Sequence, residues 1–180
     1  MSLTIPRPAE SEYAPYFTQY VAQVPPGDIL DLLANQIDDT IATLGGLTDA
    51  QAAHRYAPGK WSIKEVVGHL CEAERVFVYR AQAFAHNDAT PQPGWDENLY
   101  VANANYDRRS LASLLEELRT ARAATVAFFA GLDEVQLERR GVANNREYSV
   151  RALAWITAGH ERHHLKIVRE RYLGTAAAHA

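Results

Sequence analysis

The sequence predicts an all-α fold, a four-helix bundle, on three observations. Four segments carry apolar residues at helical spacing. No segment alternates apolar and polar residues long enough for an extensive sheet. The second helical segment opens on Ser62-Ile63-Lys64-Glu65, a capping box in which the serine accepts from backbone N–H groups and the glutamate reaches back. At 180 residues, with 47% apolar and 22% charged, the chain has the size of one domain, spanning 1–180, with residues 1–26 as an N-terminal extension packed on the bundle.

The first long helix is read over residues 28–44, after Pro25-Pro26-Gly27, with Ile29, Leu32, Leu33, Gln36, Ile37 and Leu44 on one broad face. The second spans 62–86. The third, rich in Leu, Ala, Glu and Arg, spans 110–131. The fourth spans 149–173, where Gly174 suits a C-cap and Arg169 and Arg171 suit the negative end of the helix dipole. Short helical turns are expected between helices one and two and between three and four. They belong to a weak repeat. Gly46-Leu47-Thr48-Asp49-Ala50-Gln51 precedes Trp61-Ser62-Ile63 and Gly68-His69, while Gly131-Leu132-Asp133-Glu134-Val135-Gln136 precedes Tyr148-Ser149-Val150 and Gly159-His160. Residues 87–109, between helices two and three, are polar and turn-rich. That length exceeds an ordinary bundle connection and implies a crossover or a functional loop.

Three histidines stand out. His160 and His164 are four residues apart, hence on one face of helix four, together with Leu153, Ile156 and Ile167. Arg151, Arg162, Lys166 and Arg169 gather on the opposite side. Two imidazoles on a core face are costly unless they share a partner. His69, at the rim of the apolar face of helix two, supplies a third. Three neutral imidazoles suit one divalent metal ion, Zn or Ni on isolation, with Fe, Co or Mn also compatible, and leave positions open for water or substrate. His163, on the flank, is a substitute ligand or a neighbour of the site. Glu65 and Glu72 are candidate partners for the free nitrogen of His69, or else part of a solvated face. Trp95, Asp96, Asn98, Tyr100 and Tyr106 of the crossover are candidates for a pocket wall. His54, His86 and His179 read as solvated.

His160-Glu161-Arg162-His163-His164 also satisfies H-E-x-x-H, the zinc-protease motif, in which Glu161 would be the general base. The metzincin continuation needs Gly at 167 and His at 170, where this chain has Ile167 and Glu170. A protease is therefore not expected.

The ordered set of Gly59-Lys60-Trp61-Ser62, His69 and the late His160-x-x-x-His164 resembles the DinB/YfiT-like family of metal-binding four-helix bundles. The likeness runs through residues 25–30, 56–69, 74–80 and 158–165. The resemblance implies a metal held by His69, His160 and His164. It also implies one of two activities: a metal-dependent hydrolase that activates water, or a transferase or isomerase that uses a low-molecular-weight thiol. A non-catalytic metal-binding bundle is the remaining alternative.

The net charge of −4 argues against a nucleic-acid partner, and no apolar run is long enough for a membrane span. Without an apolar leader, and with Cys71 as the single cysteine, the chain is expected in the reducing cytoplasm. Cys71 points away from His69 and reads as packing. A small molecule is the expected partner. Trp155 falls on the charged side of helix four, which suggests either a homodimer contact or a cover formed by Tyr13, Tyr16, Phe17 and Tyr20 of the N-terminal segment.

Overall fold

The computed structural model describes residues 4–174. Its four long helices are α2 (Ile29–Leu44), α4 (Ile63–Ala85), α6 (Leu111–Ala130) and α8 (Val150–Ile167), the last running on into a π-helical turn, Val168–Tyr172. Short helices precede and separate them: α1 (Thr18–Val21), α3 (Asp49–Ala52), α5 (Glu97–Ala104) and α7 (Glu134–Glu138). The all-α bundle read from the sequence is the observed fold. Each long helix begins where a side chain satisfies its first free N–H groups. Asp28 accepts from the Leu30 N–H, Ser62 from Glu65, Ser110 from Ser113 and Ser149 from Ala152. The repeated turns are α3 and α7, each opened by a capping box, Thr48 with Gln51 and Asp133 with Gln136.

α4 packs against both α6 and α8, and α2 closes the bundle against the same two. The apolar core is in two parts. One contains Leu33, Ala73, Phe77, Phe129 and Ala158; the other contains Ile37, Leu70, Leu118 and Val168. Between them, each long helix contributes a buried polar residue: Gln36, Glu74, Arg122 and Glu161. Arg122 donates to both Glu74 oxygens at 2.8 and 3.0 Å, to Glu161 at 2.8 Å and to the Leu33 carbonyl at 3.0 Å. Thr40 donates to Glu161 at 2.6 Å, and Gln36 contacts the same carboxylate. A buried guanidinium facing two carboxylates is tolerable because nearly all its donors are used.

The N-terminal segment lies along α8. Ile5, Tyr13, Tyr20, Val21 and Val24 are buried. Trp155 is buried under this segment, donating to the Ile5 carbonyl at 3.4 Å with the Arg7 guanidinium 4.3 Å above its ring. The side chain that suggested a homodimer contact is therefore covered by the same chain. Arg151, on the charged side of α8, pairs with the buried Glu12 at 2.6 and 2.7 Å.

Besides the short α1, two elements were not read from the sequence. One is the antiparallel hairpin β1 (Arg140–Ala143) and β2 (Arg146–Ser149), turned by Asn144 and Asn145 at φ 49° and 58°. Asparagine tolerates these angles, and the two-residue turn matches the twist of a hairpin. The other is α5, inside the crossover. Gln92 ties crossover to hairpin, its N–H donating to the Val142 carbonyl at 2.8 Å and its carbonyl accepting from Asn144 at 3.0 Å. Among the described residues no helix is long and apolar enough to cross a membrane.

Candidate metal centre

His69 comes from α4, and His160 and His164 come from α8, one turn apart. One ring nitrogen from each lies within 4.8 Å of the others. The Nε2 atoms of His69 and His160 are 3.1 Å apart. His69 and His160 are buried and His164 is half-buried. Burial lowers all three pKa values, that of His69 to about 4 and the others well below the usual imidazole value. His160 and His164 are lowered further by the neighbouring histidines. Three neutral imidazoles therefore present lone pairs to one small volume, which is the donor chemistry a divalent cation requires.

Both histidine-bearing stretches carry a glycine before the histidine for the same steric reason. A Cβ on Gly159 would lie 2.2 Å from the Tyr20 carbonyl oxygen, and one on Gly68 would lie 2.5 Å from the Tyr106 ring. The bare backbone lets α1 approach α8 and lets the end of the crossover approach α4. Tyr20 is thereby set against the cluster, its ring centroid 5.5 Å from that of His160 and 4.7 Å from that of His163. Its hydroxyl meets that of Tyr16 at 2.9 Å.

A cavity of about 510 Å³ opens over the histidines. Trp95 stacks on His69 with centroids 5.7 Å apart and planes 11° from parallel; Trp61 is 4.8 Å from the same ring. Phe77 meets His160 edge-on at 5.5 Å. Of the crossover candidates, Trp95 lines this cavity. Tyr100 supports it from behind, its ring 5.3 Å from Trp95. Asn98 is exposed, and Asp96 caps α5 by accepting from Asn98 and Leu99. Tyr106 is buried against Gly68. Arg80, Arg146, Tyr148, Tyr20 and Phe77 also line the cavity and were not singled out as pocket residues from the sequence. Arg80 lies on the same face of α4 as His69, about 20° away at 100° per residue, which is the signal that could have found it.

Neither proposed carboxylate holds His69. Glu65 closes the helix cap by accepting from the Ser62 N–H at 2.7 Å and pairs with Arg55 at 2.9 Å. Glu72 is directed to Tyr106, and Nδ1 of His69 is buried without a hydrogen-bond partner. His163 stands beside the cluster, with Nδ1 3.4 Å from the Gln23 amide. Glu161, the would-be general base of a protease motif, is consumed by Arg122, Thr40 and Gln36. Cys71 is buried near the Leu114 carbonyl, its thiol pushed up to about 12 by burial. His54 and His86 are exposed, and His179 lies outside the described residues.

Fold and site together define the class: an all-α bundle with a cluster of three histidines that could hold a metal ion. The chain belongs to the DinB superfamily, whose family model matches residues 32–168. Among solved structures it is similar to YfiT from Bacillus subtilis, a probable metal-dependent hydrolase with an unusual four-helix bundle topology. The TM-score is 0.69 at 17% identity, over 95% of each chain. It is also similar to a mycothiol-dependent maleylpyruvate isomerase, with a TM-score of 0.64 at 13% identity, over 81% of this chain and 61% of that one. At these identities the likeness is one of fold. No curated protein sequence matches significantly.

Proposed function

We propose that this protein is a metal-dependent enzyme, a hydrolase of a small molecule, in which His69, His160 and His164 hold one divalent cation at the floor of the aromatic cavity. The observation that carries the reading is the convergence of three imidazole nitrogens within 4.8 Å of one another at an open cavity. A fully closed structural site would bring a fourth protein ligand; the cluster of potential ligands among the described residues stops at three. When bound, the ion supplies Lewis acidity, with its full charge undiminished by neutral ligands. The chain's own residues do the rest. Trp61, Trp95 and Phe77 wall the histidines from bulk water, and Tyr20 and His163 offer polar groups beside them.

A second reading, transfer or isomerisation with a low-molecular-weight thiol, is favoured by the likeness to a mycothiol-dependent enzyme. The first experiment is metal content by mass spectrometry on protein purified without a nickel column, beside His69→Ala, His160→Ala and His164→Ala. One equivalent in the wild type, lost in each variant, is the expected result; absence of metal with no uptake of added Zn²⁺ or Ni²⁺ would sink the proposal. Turnover of an ester or amide without thiol then selects the hydrolase. Turnover only with thiol selects the transferase.

A further inference from the structure

Arg80 is 6% exposed, and among the described residues no carboxylate pairs with it. Its one hydrogen bond within the described chain is from Nη2 to the Pro93 carbonyl, at 2.8 Å. Every other guanidinium buried to this degree in the described chain is spoken for: Arg122 is held by Glu74 and Glu161. A buried cation without a counter-ion is expensive unless something supplies the charge. Arg80 also lines the cavity above the histidines, and so does the exposed Arg146 of the hairpin. The two guanidinium groups act on the same ring, Tyr148, offsetting the effect of its burial.

This cationic end is set apart from the histidines. His69 and Arg80 share one face of α4 with about 16 Å of helix axis between them. Arginine side chains on a helix lean toward its N-terminus, here toward His69. Between the two ends the cavity is aromatic. Tyr148 meets Phe17 at 5.8 Å, Phe17 meets Phe77 at 6.1 Å, and Phe77 meets His160 at 5.5 Å. The remaining charge on the lining is Glu97, which acts on Tyr20 at the other wall. Two guanidinium groups thus stand at this end of the cavity, with the carboxylate of Glu97 at the opposite wall.

We infer that Arg80, assisted by Arg146, is an anion-binding subsite, and that the substrate is an apolar or aryl monocarboxylate whose carboxylate binds there while its reacting group lies at the histidines. A planar carboxylate matches the guanidinium fork of Arg80 and supplies the counter-charge that its buried position lacks. The position of the reacting group rests on the metal-enzyme reading above; the anion subsite does not.

The test is a titration of intrinsic tryptophan fluorescence, with Trp61 and Trp95 in the cavity wall as reporters. The probes are 3-phenylpropionate, its uncharged amide and phenyl phosphate. The expected result is that the carboxylate binds, the amide binds much more weakly, and Arg80→Met reduces carboxylate affinity by about tenfold, the loss of a charge-assisted hydrogen bond. Arg80→Lys should recover part of it, and Arg146→Gln should cost a smaller factor. Stripping the protein of metal with a chelator should leave carboxylate binding in place. Equal affinity for carboxylate and amide, tighter binding of phenyl phosphate to the metal-free protein, or binding lost on chelation but not in Arg80→Met would each overturn the assignment. Should Arg80→Met fail to fold by circular dichroism, an unchanged carboxylate affinity in Arg146→Gln would overturn it instead. Metal content, measured on the same preparations, separates the two readings. Arg80-dependent binding in a protein that takes up no metal would remove the metal reading alone, and a metal-loaded protein without such binding would remove the subsite alone.

Discussion

Arg122 of α6 donates to Glu161 of α8 across 2.8 Å, and this contact decides what the residue after the first histidine of His160-Glu161-Arg162-His163-His164 is for. Glu161 ties helices together one residue along from a cluster that faces the cavity. The same guanidinium grips Glu74 of α4 and donates to the Leu33 carbonyl of α2, so all four long helices meet at one cation.

Removing that cation should be severe. Arg122→Met leaves Glu74 and Glu161 buried side by side without a counter-charge, and we expect a loss of about 3–5 kcal/mol of stability by urea denaturation. Glu161→Gln should lower stability while retaining the metal. Loss of metal in Glu161→Gln with stability unchanged would contradict the structural role.

The close approach of α1 to α8 depends on Gly159. Gly159→Ala would put a methyl group where the Tyr20 carbonyl oxygen lies, 2.2 Å from the new atom. We expect about 1–3 kcal/mol of destabilisation from overpacking. We also expect a red-shifted Trp155 emission as the N-terminal segment lifts, best read in a Trp61→Phe, Trp95→Phe background.

Trp155 itself is a core residue. Trp155→Ala should cost about 3–5 kcal/mol, like other large-to-small core changes. The sedimentation coefficient of the folded variant should equal that of the wild type. A variant of full stability with an altered oligomeric state would restore Trp155 as an intermolecular contact.

Glu12 makes stability depend on acid. Burial raises its pKa, but hydrogen bonds from Arg151, the Ala9 N–H and Ser149 outweigh this and hold it at about 2, against 4.5 for the free side chain. The folded value is the lower one, so the unfolded chain binds the proton first. The contribution is complete above about pH 4.5 and disappears as pH falls toward 2. Each unit of separation is worth about 1.4 kcal/mol. Glu12→Gln should be less stable than wild type at pH 7, by up to about 3.5 kcal/mol, and the two should converge in acid, as measured by denaturant titration at several pH values.

What the sequence determined by itself is what depends on neighbours along the chain. The caps Asp28, Ser62, Ser110 and Ser149 and the periodic apolar residues behind them set the four long helices, because capping and amphipathicity are settled within one or two turns. The four-residue spacing of His160 and His164 put both on one helix face for the same reason. Tertiary structure alone decided the rest. Arg122 looked like one charge among many on helix three until Glu74 and Glu161 arrived from two other helices. Trp155 looked exposed because its cover, Ile5 and Arg7, lies about 150 residues away in the chain. Glu65 and Glu72 looked available to His69 by helical angle, yet Arg55 and Tyr106 engaged them. Arg80 gained its meaning from a hairpin and a loop that close a cavity over it. Burial and pairing of charge depend on contacts between distant segments, and one-dimensional spacing carries no record of which segments will meet.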